Sequence, residues 1–73
     1  MRAYLSSGGS NITGYDYGDD YIQIEFVNGE VYTYTYESAG KENVEEMKGL
    51  ADNGNGLNSY INSYCKYDYS GKN

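Results

Sequence analysis

The sequence predicts an α+β fold, a three-stranded antiparallel meander with two short C-terminal helices packed on one face. Three observations carry this. Two alternating runs, Tyr21–Phe26 and Glu30–Tyr36, flank Asn28-Gly29, the strongest short-range hairpin signal. Val44, Met47, Leu50 and Ala51 fall at helical spacing. Leu57, Tyr60, Ile61 and Tyr64 then give the i, i+3, i+4, i+7 stripe of a second helix, about two turns long and too short to persist undocked.

Two turn geometries compete for the hairpin. A two-residue turn at Asn28-Gly29 sets Ile24 opposite Thr33 and Ile22 opposite Thr35. A three-residue loop, Val27-Asn28-Gly29, with Gly29 in a left-handed bulge, sets Ile24 opposite Tyr32 and Ile22 opposite Tyr34. The second collects Ile22, Ile24, Phe26, Tyr32, Tyr34 and Tyr36 on one face and leaves Gln23, Glu25, Val31, Thr33 and Thr35 on the other. A sheet with one buried face needs that separation, because a one-residue slip sends every side chain to the wrong side. The bulged turn is therefore expected.

Taken in order, residues 1–9 read as a flexible N-terminal arm that ends in small polar residues. Asn11–Tyr17 reads as a strand with an irregularity at Gly14. Gly18-Asp19-Asp20 turns into the Tyr21 strand. Ser38 is a candidate N-cap for the first helix, whose early Glu42, Glu45 and Glu46 suit the helix dipole. Gly49 weakens that helix by roughly 1 kcal/mol relative to Ala and is expected to let it sit close to the sheet. Asp52–Gly56 stops it. Residues 10–66 form a single domain, and 67–73 read as a polar tail.

Eleven tyrosines supply nearly all the aromatic content, and eleven Asp and Glu against five Lys and Arg give a net charge of −6. Such a chain repels phosphate backbones unless its few cations cluster, and it suits a basic partner. No apolar run is long enough to span a membrane. Met1–Leu5 leads into no signal-peptide apolar stretch, so a cytoplasmic protein with a reduced Cys65 is expected.

The absence of histidine excludes Ser-His and Cys-His pairs and His-ligated metals. Cys65 has only Lys66 beside it as an activating group. Asp16, Asp19 and Asp20 surround one turn without the spacing of a calcium loop, so a solvated acidic turn is expected and no metal. Gly54-Asn55-Gly56 precedes a helix start whose N–H groups suit one phosphate, although a helix end followed by a new start also explains it.

The ordered motifs Ser10-Asn11-Ile12, Gly14-Tyr15-Asp16, Ile22-Gln23-Ile24-Glu25-Phe26, Gly29, Tyr32-Thr33-Tyr34, Gly54, Leu57-Asn58, Ile61 and Tyr64 resemble the KTSC domain family. That family is small, bacterial and phage-borne, and occurs at the C-terminus of some lysyl-tRNA synthetases. The resemblance runs from about Ser10 to Tyr64. It implies a KTSC-like domain over residues 10–66, in the cytoplasm of a bacterial or phage-infected cell, and it raises RNA binding through the synthetase context. Two features depart from the pattern. Glu37-Ser38-Ala39 replaces the Val-Pro that follows the family's Tyr-x-Tyr strand, and Asn62 and Ser63 replace basic residues near the second helix.

The expected function is a non-catalytic binding module without a cofactor. Its acidic, Tyr-rich surface (Asp16, Asp19, Asp20, Glu25, Glu42, Glu45, Glu46) would engage a basic protein, such as a nucleic-acid-binding enzyme. Small acidic phage inhibitors that mimic nucleic acid are the analogy. The alternative is an RNA- or nucleotide-binding module. It would stack bases on Tyr15, Tyr17, Tyr32 and Tyr34 and hold phosphate at Gly54, Asn55 and Gly56. A homodimer through Val31, Thr33 and Thr35 stays open.

Overall fold

The computed structural model describes residues 1–5 and 10–73. The hairpin takes the bulged turn. Ile22 pairs with Tyr34 and Ile24 with Tyr32. The Phe26 N–H donates to the Glu30 carbonyl at 2.9 Å, and the Gly29 N–H donates to the Phe26 carbonyl at 2.9 Å. Gly29 has φ 90°, a conformation that strains any residue with a Cβ. The aliphatic and aromatic residues of both runs therefore share one face.

The sheet has five antiparallel strands in sequence order, where three were expected. They are β1 (Arg2–Ala3), β2 (Ile12–Tyr17), β3 (Tyr21–Phe26), β4 (Val31–Thr35) and β5 (Gly71–Lys72). The two additions come from the chain ends, read from the sequence as an arm and a tail. Each is only two residues long, too short to show a period. Each nevertheless gives backbone partners to an edge that would otherwise be bare. Tyr4 N–H donates to the Thr13 carbonyl at 3.0 Å, Ser70 N–H to Thr33 at 2.7 Å and Asn73 N–H to Val31 at 2.8 Å. Ser6, Ser7, Gly8 and Gly9, the rest of the expected arm, lie outside the described residues.

The irregularity expected at Gly14 is a register shift between Ile12 and Gly14. It lets Ile12, Tyr15 and Tyr17 pair with Phe26, Ile24 and Ile22 on the apolar face. Gly14 also lies close against β1: an added Cβ would lie 3.0 Å from the Arg2 carbonyl oxygen.

The sheet hands over to helix through a reciprocal cap. Thr35 Oγ1 accepts from Ser38 N–H at 3.0 Å, and Ser38 Oγ accepts from Thr35 N–H at 3.0 Å. This builds a single turn, α1 (Tyr36–Ala39), that the sequence reading lacked. Ser38 is thus not the cap of the long helix α2 (Lys41–Asn53), which starts after Gly40. Val44, Met47 and Ala51 of α2 are buried as expected. Gly49 is exposed and a Cβ there would meet nothing within 4 Å, so it does not let α2 approach the sheet.

Helix α3 (Leu57–Tyr60) runs directly into a π-helical turn, Ile61–Cys65. The wider turn shifts the apolar stripe by one residue. Leu57, Ile61 and Cys65 face the core, whereas Tyr64, expected inside, is 64 % exposed. With Ile22, Ile24 and Tyr34 of the sheet and Val44 and Met47 of α2 they form one apolar cluster. Each such side chain contributes roughly 1.5–3 kcal/mol by burial. The whole domain has a margin of only about 3–5 kcal/mol.

Candidate functional site

Three arrangements stand out, all on the helix-covered face. The first lies where α2 passes the β2–β3 turn. Asp19 and Asp20 are exposed on that turn, and Glu42, Glu45 and Glu46 are exposed along α2. Between turn and helix is an open hollow bordered by Tyr17, Asp19, Tyr36, Glu45 and Lys48. The Lys48 ammonium sits in it, donating to Glu45 Oε2 at 2.7 Å and to the Asp19 carbonyl at 3.0 Å. It also stands 5.3 Å from the Tyr17 ring centre and 5.8 Å from that of Tyr36. The Tyr36 hydroxyl donates to the same Glu45 oxygen at 2.6 Å. That bond, with partial burial and the charges of Glu45, Asp20 and Asp19, pushes the Tyr36 hydroxyl up to about 12. The bonds from Lys48 and Tyr36 hold the Glu45 carboxyl below its ordinary value.

The second arrangement centres on Asp52, at the C-terminal end of α2. Its two oxygens accept from the Tyr15 and Tyr17 hydroxyls, each at 2.8 Å. Arg2 of β1 reaches Asp52 Oδ1 at 3.5 Å, and its guanidinium lies 4.4 Å over the Tyr17 ring. The hydroxyl bonds, Tyr15's first, keep the Asp52 carboxyl below the usual carboxylate range. Sequence reasoning missed this residue, although a signal existed: an acid in the last turn opposes the helix dipole unless something else holds it.

The third is a cleft of about 420 Å³ on the opposite side, between β4, the β3–β4 turn and the π-helical turn. Its aromatic wall is edge-to-face: Phe26 to Tyr32 at 5.0 Å and Tyr32 to Tyr69 at 4.9 Å between ring centres. Tyr34, 1 % exposed, is its floor, and burial pushes the Tyr34 hydroxyl far above its ordinary value. Lys66, Tyr67 and Lys72 border the opening. None of these three, nor Tyr69, was expected from the sequence to contact a ligand, and Lys66 was noted only as the neighbour of Cys65. The visible signal was a pair of tyrosines between two lysines in Lys66-Tyr67-Asp68-Tyr69-Ser70-Gly71-Lys72.

The residues expected to form one acidic surface divide between two faces. Asp19, Asp20, Glu42, Glu45 and Glu46 lie at the β2–β3 turn and along α2. By strand alternation Asp16 and Glu25 belong to the far side of the sheet, with Gln23 and Val31 opposite them. Glu25 Oε1 there accepts from Thr13 at 3.4 Å. Among the described residues no three carboxylate or cysteine side chains converge as a metal site would require.

The expected stacking tyrosines also divide. Tyr15 is buried with its hydroxyl on Asp52, and the Tyr17 ring is taken by Arg2 and Lys48. Tyr34 is core, which leaves Tyr32 beside open space.

Two of the three backbone donors of the Gly54-Asn55-Gly56 loop are used internally. Gly54 and Asn55 N–H groups close α2 on the Leu50 carbonyl at 2.9 and 3.3 Å, and Leu57 N–H donates to the Tyr4 hydroxyl at 3.3 Å. The Gly54, Asn55 and Leu57 N–H groups are therefore already engaged. Cys65 is fully buried, and burial pushes its thiol up, away from the thiolate that nucleophilic chemistry needs.

No helix of the described residues is long and apolar enough to cross a membrane. Comparison of the chain with protein-family models, with curated proteins and with solved structures finds no match, and the KTSC resemblance rests on its ordered motifs alone.

Proposed function

We propose that the chain is a non-catalytic binding module that presents the acidic flank of α2 and the β2–β3 turn to a basic protein partner. The carrying observation is the set of exposed carboxylates, Asp19, Asp20, Glu42 and Glu46, around the seat of Lys48. A carboxylate, a backbone carbonyl and two tyrosine rings converge on one ammonium. These are the groups that hold a cationic side chain by charge, hydrogen bond and ring quadrupole together. Asp19, Asp20, Glu42 and Glu46 extend the same sign of potential around it. Lys48 fills that seat, so a partner's lysine or arginine would meet the exposed carboxylates around it, and complementary charge speeds the encounter.

The test is titration with a Lys/Arg-rich peptide at low and high salt. Binding should weaken steeply with salt, and Glu45→Gln combined with Asp19→Asn should weaken it further at low salt. Binding that ignores salt, or no binding at low salt, would overturn the reading.

A further inference from the structure

The five cations of the chain are distributed unevenly. Arg2 and Lys48 are committed to Asp52 and Glu45, and Lys41 stands 6.0 Å from the Tyr36 ring centre. Lys66 and Lys72 both border the aromatic cleft. Lys66 has no carboxylate partner among the described residues, and Lys72 pairs with Glu30 at 3.5 Å, the same distance as Arg2 to Asp52. In a chain of net charge −6 this opening holds two of the five cations, and one of them, Lys66, carries no ion pair among the described residues.

The same opening is aromatic where it is not cationic. Tyr67 and Val27, which both line it, are 77 % and 67 % exposed, among the most exposed large apolar side chains described. Asn11, Asn28 and Asn62 add amides, of which the Asn28 Oδ1 already accepts from the Glu30 N–H at 3.0 Å. The volume of about 420 Å³ lies within the roughly 300–1,000 Å³ of small-molecule sites.

We infer that this cleft binds a single nucleotide, with its base against Tyr67 and the Tyr32–Tyr69 wall and its phosphate on Lys66 and Lys72. Rings supply stacking, lysines supply phosphate affinity, and amides match a base edge. A fatty acid or other aliphatic anion would not use an edge-to-face aromatic wall or three amides. A long strand would have to run on over a chain with more than twice as many acids as cations, so the site takes one nucleotide, free or at the end of a strand. This site is separate from the α2 flank and does not depend on it.

The test titrates AMP, UMP and a short single-stranded RNA, following tyrosine fluorescence and amide NMR shifts. AMP or UMP should bind saturably, and adenosine and inorganic phosphate alone should each bind more weakly. Lys66→Glu should weaken nucleotide binding about tenfold, the scale of one charge-assisted contact, with thermal unfolding unchanged. Lys72→Gln and Tyr67→Ala should each weaken it several-fold, and Glu45→Gln should leave it as it was. RNA binding tighter than AMP with the same Lys66 dependence assigns the site to a strand end, and weaker RNA binding assigns it to the free nucleotide. No saturable response to either at millimolar concentration would overturn the inference, as would binding indifferent to Lys66→Glu and Lys72→Gln.

Discussion

Two sides of one sheet face carry the same residue type to opposite ends. On the β2 side, Tyr15 and Tyr17 have their hydroxyls on Asp52 and their rings beneath Arg2. On the β4 side, Tyr32 and Tyr69 meet each other edge to face, and no carboxylate takes their hydroxyls among the described residues. What differs is the element laid over each. The last turn of α2 carries a carboxylate across β2 and seals it. The π-helical turn buries Cys65 and then leaves Lys66 and Tyr67 outside, so β4 stays open. A tyrosine's role here is set by what the helices bring to its hydroxyl.

The largest test of this comparison is Tyr34→Ala. Tyr34 is both core and the floor of the open side. Truncating a buried aromatic costs about 3–5 kcal/mol, comparable with the whole margin of a domain this size. Urea titration should show a chain largely unfolded without denaturant. A folded Tyr34→Ala would mean that the β4 side is held by its edge strand and not by its floor.

The closed side is tested by Asp52→Ala. It leaves two tyrosine hydroxyls and Arg2 without their acceptor. The Asp52 side chain is 45 % exposed, so water takes up part of the loss. A destabilisation of about 1–2 kcal/mol is expected at neutral pH. The Asp52 carboxyl lies below its ordinary value in the folded chain, chiefly through the Tyr15 and then the Tyr17 bond. Its contribution is therefore complete above the ordinary carboxylate range and disappears as pH falls through the depressed value. Wild type and Asp52→Ala should differ at pH 7 and converge in strong acid. Parallel stability curves down to the acid limit would remove Asp52 as the clasp.

The sequence showed most of the sheet and little of either side's closure. The hairpin register followed from Ile22, Ile24, Tyr32 and Tyr34, because alternation admits only one dry face. The Gly14 irregularity followed from a glycine within a strand. β1 and β5 did not, because two residues carry no period and their pairing is a long-range event. Tyr64 was placed inside because a helical stripe assumes α geometry throughout, and the π turn exchanges it for Cys65. The acidic residues of α2 and the β2–β3 turn could be counted from the sequence, but Lys48 could not be placed against Asp19, 29 positions earlier in the chain. Lys66, Tyr67, Tyr69 and Lys72 looked like a solvated tail because nothing local distinguishes a tail from an edge strand that walls a cleft.

A smaller, stabilising change concerns α2 itself. Gly49 is helical, exposed and faces open space, so Gly49→Ala meets no steric cost. It should stabilise the domain by about 0.5–1 kcal/mol, raising the denaturation midpoint and leaving the cleft untouched. A destabilised variant would show that the helix needs its glycine for something beyond propensity.

The smallest expected effect on stability falls on the open side. Glu30 lies 3.5 Å from Lys72, and its charge is the first cause of the raised Lys72 ammonium pKa. In Glu30→Gln that value returns toward the ordinary lysine range, still far above neutral pH, so Lys72 keeps its charge while the cleft loses a competing carboxylate. An exposed pair of this kind contributes little to stability, and the unfolding midpoint should barely move. Nucleotide affinity should rise by about two- to fivefold at low salt, because one opposing charge near the phosphate is gone, and the gain should shrink as salt screens it. The β2 side has no such reserve, since its carboxylate already accepts two hydroxyls and removing it only opens a closed structure. An affinity unchanged by Glu30→Gln would mean that Lys72 lies outside the site and that the open side works, if at all, through Lys66 alone.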